Sequence, residues 1–276
     1  MRCLACNQVL SQKTSYPAKE DSGAKNYLFH ECGICGSLNS EYVNREKLYD
    51  NRDSTNYAET APFILRYLKE IFLYWSNRNI LNNLDRNDQI VDFGCGSGEF
   101  SNMLVSRGFK NILAADLQIE RPENLESSVK YYCIGELTLT DAKIIVARHV
   151  FEHIENPIET LEDFQSKIPQ NCKIIIEVPN ASSIFRLVLK RRWPGYYAPY
   201  HTIVFSRKGL SLLSERAGFF VTEAIFKESP IVGYYLCQLG MPRTLSRALS
   251  ATLFPIQFFV SKICRSGEAI QITIEK

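Results

Sequence analysis

The chain has 276 residues, of which 45% are hydrophobic and 22% are charged. This length suits one α/β domain with a small appended module, because single cores stop growing at about 250 to 300 residues. The 32 basic and 30 acidic side chains almost cancel, so no strong global field favours a nucleic-acid partner. Nine cysteines, an odd number, and an N-terminus without a signal-peptide pattern argue against a disulfide scaffold and lead us to expect a cytoplasmic protein.

The first four cysteines form two CxxC pairs. Cys3 and Cys6 make one pair and Cys32 and Cys35 the other, with 25 residues between the pairs. Two residues between thiolates let both sulfurs of one turn face a single ion, and two such turns complete a tetrahedral zinc site. We therefore predict a zinc-binding module over residues 1–45, in which the zinc is structural because no coordination position stays open.

Residues 46–86 are predicted to form a helical linker that covers the ligand-binding edge of the following domain. Apolar residues recur there at three- and four-residue spacing, which predicts one helix face packed on a neighbouring sheet. This face consists of Phe63, Ile64, Tyr67, Leu68, Ile71, Phe72 and Trp75.

Strand-like and helix-like segments alternate along residues 87–228, which predicts a doubly wound, Rossmann-like parallel sheet with helices on both faces. Uninterrupted apolar runs such as 143–147 fit strands that are buried on both sides. The predicted strands are 90–93, 112–115, 131–134, 144–147, 174–178 and 219–226, and the predicted helices are 99–107, 158–167 and 210–217. Residues 229–276 are predicted to hold an apolar helical insertion and a last core strand at 269–274.

Three glycines alternate through a predicted tight turn between the first core strand and its helix. Gly94, Gly96 and Gly98 leave the backbone bare, so that a ligand can approach it closely. A dinucleotide-binding loop would carry its third glycine one position later, where Glu99 stands. That carboxylate would serve a pyrophosphate poorly.

Acidic residues stand on both sides of this glycine loop. Asp92 lies near the end of the first predicted core strand, and Asp116 follows the next strand. A carboxylate at the second position can accept two hydrogen bonds from a ribose diol. The loop therefore suits a ligand with positive charge and free hydroxyl groups.

Residues 91–98 resemble the first motif of the class I S-adenosylmethionine-dependent methyltransferases, and the resemblance extends from about residue 87 to residue 226. It includes the stretches 148–154, 178–180, 201–206 and 217–219. The resemblance implies that the cofactor is S-adenosylmethionine, with the three glycines at its methionine end. The implied cofactor-binding residues are Asp92, Gly94, Gly96, Gly98, Asp116 at the ribose, Gly135 and Glu136 at the adenine, and His149 at the nucleoside.

Candidate catalytic residues follow the fourth core strand, where ligands bind in open α/β sheets. Methyl transfer requires an aligned nucleophile and a group that removes its proton, and a histidine oriented by a carboxylate serves that role. We predict His153 as the general base, His201 as the second choice and Glu152 as their carboxylate partner. An aromatic loop at 191–200 precedes His201 and could stack on a sugar or ring substrate.

The substrate is predicted from the resemblance, because similar cysteine-rich N-termini precede sugar C-methyltransferases and other tailoring methyltransferases. A small hydroxylated metabolite or sugar is the implied acceptor, in glycan or secondary-metabolite tailoring, with methylation at oxygen or carbon left open. Two alternatives also stay open. One is an RNA 2'-O-methyltransferase, whose relatives hold a divalent ion on residues like His149, Glu152, His153 and His201; the other is a non-catalytic S-adenosylmethionine-binding module.

The segment 230–265 carries many apolar residues between basic ones. Its most apolar stretch, 249–263, is shorter than the ~20 residues of a membrane-spanning helix and is broken by Pro255. A lid, a homodimer surface and a peripheral membrane contact are all compatible with this pattern.

Overall fold

The structure is a computed structural model that describes residues 1–11, 14–19, 25–41, 71, 73–78, 81, 84–228 and 230–276. The described strands are β1 (Ser15–Lys19), β2 (Asn26–Glu31), β3 (Leu38–Ser40), β4 (Ile90–Phe93), β5 (Ile112–Asp116), β6 (Lys130–Cys133), β7 (Ile144–Arg148), β8 (Lys173–Pro179), β9 (Ile203–Val204), β10 (Phe220–Lys227) and β11 (Ala269–Glu275). The α-helices with both ends among the described residues are α1 (Glu99–Ser106), α2 (Pro157–Lys167), α3 (Ile184–Leu189), α4 (Arg207–Arg216), α5 (Val232–Gln238) and α6 (Arg243–Ile263).

Seven strands form the main sheet in the order β10-β11-β8-β7-β4-β5-β6. The pairs from β6 across to β8 are parallel, whereas β11 runs antiparallel to both of its neighbours, β8 and β10. Each predicted core strand is present, with bounds that differ by at most one residue at either end. The predicted doubly wound, Rossmann-like fold is therefore confirmed.

Helices cover both faces of this sheet because successive residues of a strand point to opposite sides. Ile90 of β4 packs in a cluster with Met103 and Leu104 of α1. Its neighbour Val91 packs in the other cluster, which includes Leu161 of α2. The carboxyl ends of the parallel strands consequently lie between two packed layers, and this edge positions the candidate site.

The N-terminal module contributes to a second sheet with the order β1-β2-β3-β9. Its last strand comes from the larger domain, and the register pairs Leu38 with Val204. Further contacts join the two parts: Ser206 N–H donates to Ser37 Oγ at 3.1 Å, and the Ser206 hydroxyl donates to the carbonyl of Cys35. The module is thus attached to the chain segment that follows His201.

The helix expected within residues 46–86 is described only in part, with residues 73–78 helical. Leu73 and Tyr74 pack against the core, whereas Ile71 and Trp75 are exposed and the Arg78 guanidinium lies over the Trp75 ring. The predicted apolar face is wrong at Ile71 and Trp75, because the buried side of the helix passes through their neighbours. The other predicted positions of that face, Phe63, Ile64, Tyr67, Leu68 and Phe72, lie outside the described residues.

Helices α5 and α6 stand between β10 and β11, as the predicted apolar helical insertion before the last strand. In the ranges that the structure describes, no helix has both the length and the apolar character needed to cross a membrane.

Candidate active site

The glycine loop joins β4 to α1, and its three glycines all have positive φ angles: 73° at Gly94, 52° at Gly96 and 79° at Gly98. A Cβ atom on Gly94 would lie 2.4 Å from Val150 Cγ2, and one on Gly98 would lie 2.5 Å from Leu125 Cδ1. A Cβ atom on Gly96 would meet nothing within 4 Å. Two of the glycines are therefore required by packing, whereas Gly96 presents bare backbone to open space.

The two predicted acidic residues occupy different depths beside this loop. Asp116 accepts hydrogen bonds at 2.8 Å from Gly96 N–H and at 2.8 Å from Leu117 N–H. Asp92 is buried, and one of its oxygens accepts from the Ser101 hydroxyl at 2.7 Å. Burial outweighs this hydrogen bond and raises the pKa of Asp92 to about 6. Asp116 thus lies at the mouth of the loop and Asp92 beneath it.

The other predicted cofactor residues follow neighbouring parallel strands. Gly135 and Glu136 are exposed in a short 3-10 turn after β6. His149 follows β7 with a positive φ of 55°, and its N–H donates to Glu177 O at 2.8 Å. Because these strands are parallel neighbours, the structure brings the predicted cofactor residues to the same edge of the sheet.

Glu152 is the centre of a cluster with the predicted histidines. Its side chain is fully buried, with Oε1 3.2 Å from His149 Nδ1 and 4.0 Å from His201 Nε2. The His153 and His201 ring centroids are 4.6 Å apart. Burial alone would raise the pKa of Glu152, but the hydrogen bond and charge of His149 outweigh it and lower that pKa.

Backbone carbonyls fix the orientation of two of these rings. His153 Nδ1 lies 3.1 Å from Tyr200 O, and His201 Nδ1 lies 3.0 Å from Gly195 O. A carbonyl can only accept, so each Nδ1 carries the hydrogen and each neutral ring keeps a lone pair on Nε2. Burial lowers the pKa of His201 to about 3, whereas His153 is only half-buried.

One part of the aromatic loop contacts the histidine cluster, and another part is buried in the fold. The Tyr197 ring lies 5.3 Å from the His201 ring and 6.3 Å from the His153 ring. Trp193, in contrast, is buried, and its indole N–H donates to Glu268 Oε2 at 3.0 Å. Trp193 is therefore not available to stack on a ligand, because its ring is already enclosed by the fold.

A buried ion-pair network beside the cluster was not predicted from the sequence. Glu177 Oε2 lies 2.6 Å from Lys227 Nζ, and Glu177 Oε1 lies 3.6 Å from Arg148 Nη2. Burial opposes the charge of Glu177, but these cations outweigh it and lower its pKa to about 2. The available signal was a single carboxylate among the apolar residues that follow Lys173 in strand β8.

The four predicted metal-binding cysteines lie together. Their sulfur atoms are all within 4.8 Å of one another, and Cys3–Cys35 and Cys6–Cys32 are 3.6 and 3.5 Å apart. Four thiolates bonded to zinc at ~2.3 Å stand about 3.8 Å apart in a tetrahedron. Asn7 and Gly36, each four residues after the first cysteine of its pair, have positive φ angles and close equivalent turns. The donor set and its spacing fit a zinc ion.

A second group of ligand atoms occurs in the histidine cluster. The donor atoms of Glu152, His153 and His201 also lie within 4.8 Å of one another. His149 contacts Glu152 but is not a member of this group. The geometry thus brings together three of the four residues considered for a divalent ion.

A family model described as a methyltransferase domain matches residues 57–224. No curated protein matches the chain. A solved S-adenosylmethionine-dependent methyltransferase from Archaeoglobus fulgidus is 19% identical, with a TM-score of 0.53 over 75% of this chain and 94% of its own. The 1,6-didemethyltoxoflavin-N1-methyltransferase of Burkholderia thailandensis is 12% identical, with a TM-score of 0.52 over 95% of this chain and 99% of its own. Its structure holds 1,6-didemethyltoxoflavin and S-adenosylhomocysteine.

The family match covers more than half of the chain, and the glycine loop and the histidine cluster both fall within it. The chain therefore belongs to the methyltransferase-domain family, and its seven-stranded sheet has the class I S-adenosylmethionine-dependent methyltransferase fold.

Proposed function

We propose that this protein transfers a methyl group from S-adenosylmethionine to a small hydroxylated metabolite or sugar. The observation that carries the proposal is the close contact between Gly94 and Val150. A Cβ atom added at Gly94 would lie only 2.4 Å from Val150 Cγ2. This contact puts the cluster around Glu152 directly beside the glycine loop. The small molecule and S-adenosylhomocysteine held by the Burkholderia relative support a small acceptor.

The cofactor would lie along the glycine loop and the ends of the neighbouring strands. Its methionine end would approach the bare backbone at Gly96, and its ribose diol would meet Asp116, whose carboxylate has lone pairs beyond those used by backbone N–H groups. Asp92 would add negative potential for the sulfonium or amino group. Gly135 and Glu136 would flank the adenine, and His149 would contact the nucleoside.

His153 is the proposed general base. Bound S-adenosylmethionine would supply the electrophilic methyl group and would keep the carbon–sulfur bonding electrons as S-adenosylhomocysteine. His153 Nε2 would accept the proton that the acceptor atom loses. The contact with Tyr200 O occupies Nδ1 and leaves Nε2 as the ring nitrogen that can accept a proton. Glu152 stabilises positive charge on the cluster, and the more deeply buried His201 is the second candidate for proton removal.

We also propose that Cys3, Cys6, Cys32 and Cys35 bind one structural zinc ion. The tetrahedral spacing of the sulfurs supports this proposal. A role in glycan or natural-product tailoring, a cytoplasmic location and a homodimer stay predictions.

The test combines cofactor calorimetry with a methyl-release assay. The intact protein should bind S-adenosylhomocysteine and turn over members of a sugar-nucleotide or small-metabolite pool. His153→Ala should lower kcat by about 100- to 10,000-fold without changing the affinity for S-adenosylhomocysteine. His30→Ala is the matched control, because the His30 ring contacts Ser15 instead of the cluster.

Each component of this test can contradict the proposal. A protein with no affinity for S-adenosylhomocysteine is not a methyltransferase of this kind. Binding without turnover on any pool would favour the non-catalytic module, and an unchanged kcat in His153→Ala would remove His153 as the base.

A second candidate function is an RNA 2'-O-methyltransferase with a divalent ion. The spacing of Glu152, His153 and His201 favours it, because three such ligands can hold one ion. It predicts turnover on RNA that depends on added Mn²⁺ or Mg²⁺. Turnover on a sugar pool in the presence of a chelator would exclude this candidate.

A further inference from the structure

The long helix α6 is unusual because the side that it buries is polar. Ordinary surface helices turn an apolar stripe towards the core. The residues that α6 buries are instead polar, and Ile231 N–H donates to the side-chain oxygen of one of them, Gln257, at 3.3 Å. Among the side chains of α6 that the structure describes, the buried ones are Ser246, Ser250, Gln257 and Ser261.

Close packing against α5 explains this polar side. A Cβ atom on Gly233 of α5 would lie 2.9 Å from Ser250 Cβ and 3.1 Å from Ser246 O. The two helices therefore approach too closely for large apolar side chains between them. Only small residues fit at this contact, and the large apolar residues of α6 must face elsewhere.

Several large apolar residues of α6 lie in solvent, whereas Leu249, Phe254 and Phe258 are half-buried. Ile256, Phe259 and Ile263 are 62%, 66% and 67% exposed, and they recur at the spacing that keeps them on one side of a helix. Single exposed apolar residues are ordinary, but a continuous stripe marks a binding surface. We define the α6 face as Leu245, Leu253, Ile256, Phe259, Val260 and Ile263.

The charges carried by α6 and its neighbouring residues in the sequence have a single sign, although Glu228 interacts with Ser261 and Lys262 of this helix. Residues 229–267 contain no Asp or Glu, and their charged residues are all basic. Lys262 and Arg265 are exposed at the end of α6. Helix α3 begins beside this end, where Ile184 N–H donates to Ser266 Oγ at 3.0 Å, and it leads to the exposed Lys190 and Arg191.

We propose that the α6 face binds the surface of an anionic lipid bilayer, with α6 lying in the plane of the membrane. An apolar stripe edged by Lys and Arg matches the acyl boundary and the anionic headgroups together. A second copy of the chain packed on the same face would bring basic side chains against basic side chains. The interaction is independent of the proposed methyl transfer.

The test is co-sedimentation of the full chain with phosphatidylcholine vesicles, prepared with and without phosphatidylserine. The protein should bind the vesicles that contain phosphatidylserine. Phe259→Ser should lower the partition coefficient about tenfold, and Lys262→Gln should lower it about fivefold. Phe220→Ser is the matched control, because Phe220 is 71% exposed at the start of β10 and should leave binding unchanged.

Circular dichroism of each variant establishes that the fold is retained. The proposal is overturned if folded protein binds neither vesicle, or if Phe259→Ser and Phe220→Ser lower binding equally. A concentration-dependent dimer that Phe259→Ser dissociates, in a protein that binds no vesicle, would assign the α6 face to a second copy of the chain instead.

Discussion

The carbonyl oxygen of Glu152 accepts two hydrogen bonds from Thr202, one from its N–H at 2.7 Å and one from its hydroxyl at 2.9 Å. Glu152 follows β7 of the main sheet, whereas Thr202 immediately precedes β9 of the smaller sheet. These bonds therefore hold the carboxylate of one segment near His201 of the other.

Thr202→Val removes the hydroxyl while keeping the side-chain shape and the backbone bond. We expect the free energy of unfolding to fall by about 1 to 3 kcal/mol, because buried acceptors lose a donor, and kcat to fall with it. Urea unfolding and the methyl-release assay measure the two effects. Thr222→Val is the control, since Thr222 is exposed on β10. Equal effects of the two substitutions would contradict a role for Thr202 in positioning the site.

The raised pKa of Asp92 predicts how the free energy of unfolding depends on pH. Its pKa is about 6 in the folded protein, compared with about 3.9 in an unfolded chain. Because the folded pKa is raised, its stabilising contribution is complete below pH ~4 and is lost as pH rises through about 6. Asp92→Asn cannot ionise, so we expect its free energy of unfolding to exceed that of the parent protein by roughly 1 to 3 kcal/mol above pH 7.

This difference should disappear at about pH 3, below both pKa values, where Asp92 is mostly protonated in both states. Urea unfolding across this pH range provides the measurement. Asp141→Asn, at an exposed turn position, is the control and should show no such rise. A constant difference between Asp92→Asn and the parent protein at all pH values would show that the ionisation of Asp92 is not its cause.

The core strands could be predicted from the sequence because burial on both faces leaves a local signal. The run Ile144–Arg148 is apolar at four successive buried positions, and no partner need be known to recognise it. Strand β9 has only two residues, and it exists because Leu38 and Asn39 pair with it from the distant N-terminal module. Such pairing has no local signature.

The same distinction applies to the candidate site. The residues of the glycine loop are contiguous, so one short stretch of sequence is enough to predict the loop. The network of Glu177 draws Lys227 from β10 and Arg148 from β7, and only the sheet order makes them neighbours. From the sequence Trp193 is a candidate for stacking on a ligand, but in the structure it is enclosed and bonded to Glu268.

A substitution at Gly96 can separate the effect of cofactor contact from the effect of backbone strain. Gly96→Ala adds a methyl group where the protein has open space, so we expect a folded variant with S-adenosylhomocysteine affinity lowered about tenfold or more. Gly108→Ala is the matched control, because Gly108 also has a positive φ, of 84°, and no neighbour within 4 Å. Calorimetry should find the affinity of Gly108→Ala unchanged. Equal affinities in the two variants would mean that the cofactor does not approach Gly96.

The cysteine module offers a last prediction, because its strand β3 pairs with β9 immediately after His201 and Thr202. Metal analysis should find one zinc per chain, and Cys35→Ser should lose it. Loss of the ion would release the Cys35 carbonyl from the Ser206 hydroxyl and weaken the pairing of Leu38 with Val204.

We expect kcat of Cys35→Ser to fall by about 100-fold, because small displacements of a catalytic group are costly, while the affinity for S-adenosylhomocysteine stays the same. Cys264→Ser, at an exposed position outside the module, should keep both its zinc and its turnover. Full turnover in zinc-free Cys35→Ser would show that the module does not position His201. Equal losses of turnover and of cofactor affinity would point to general unfolding, since the glycine loop lies on the other sheet and makes no use of the pairing between β3 and β9.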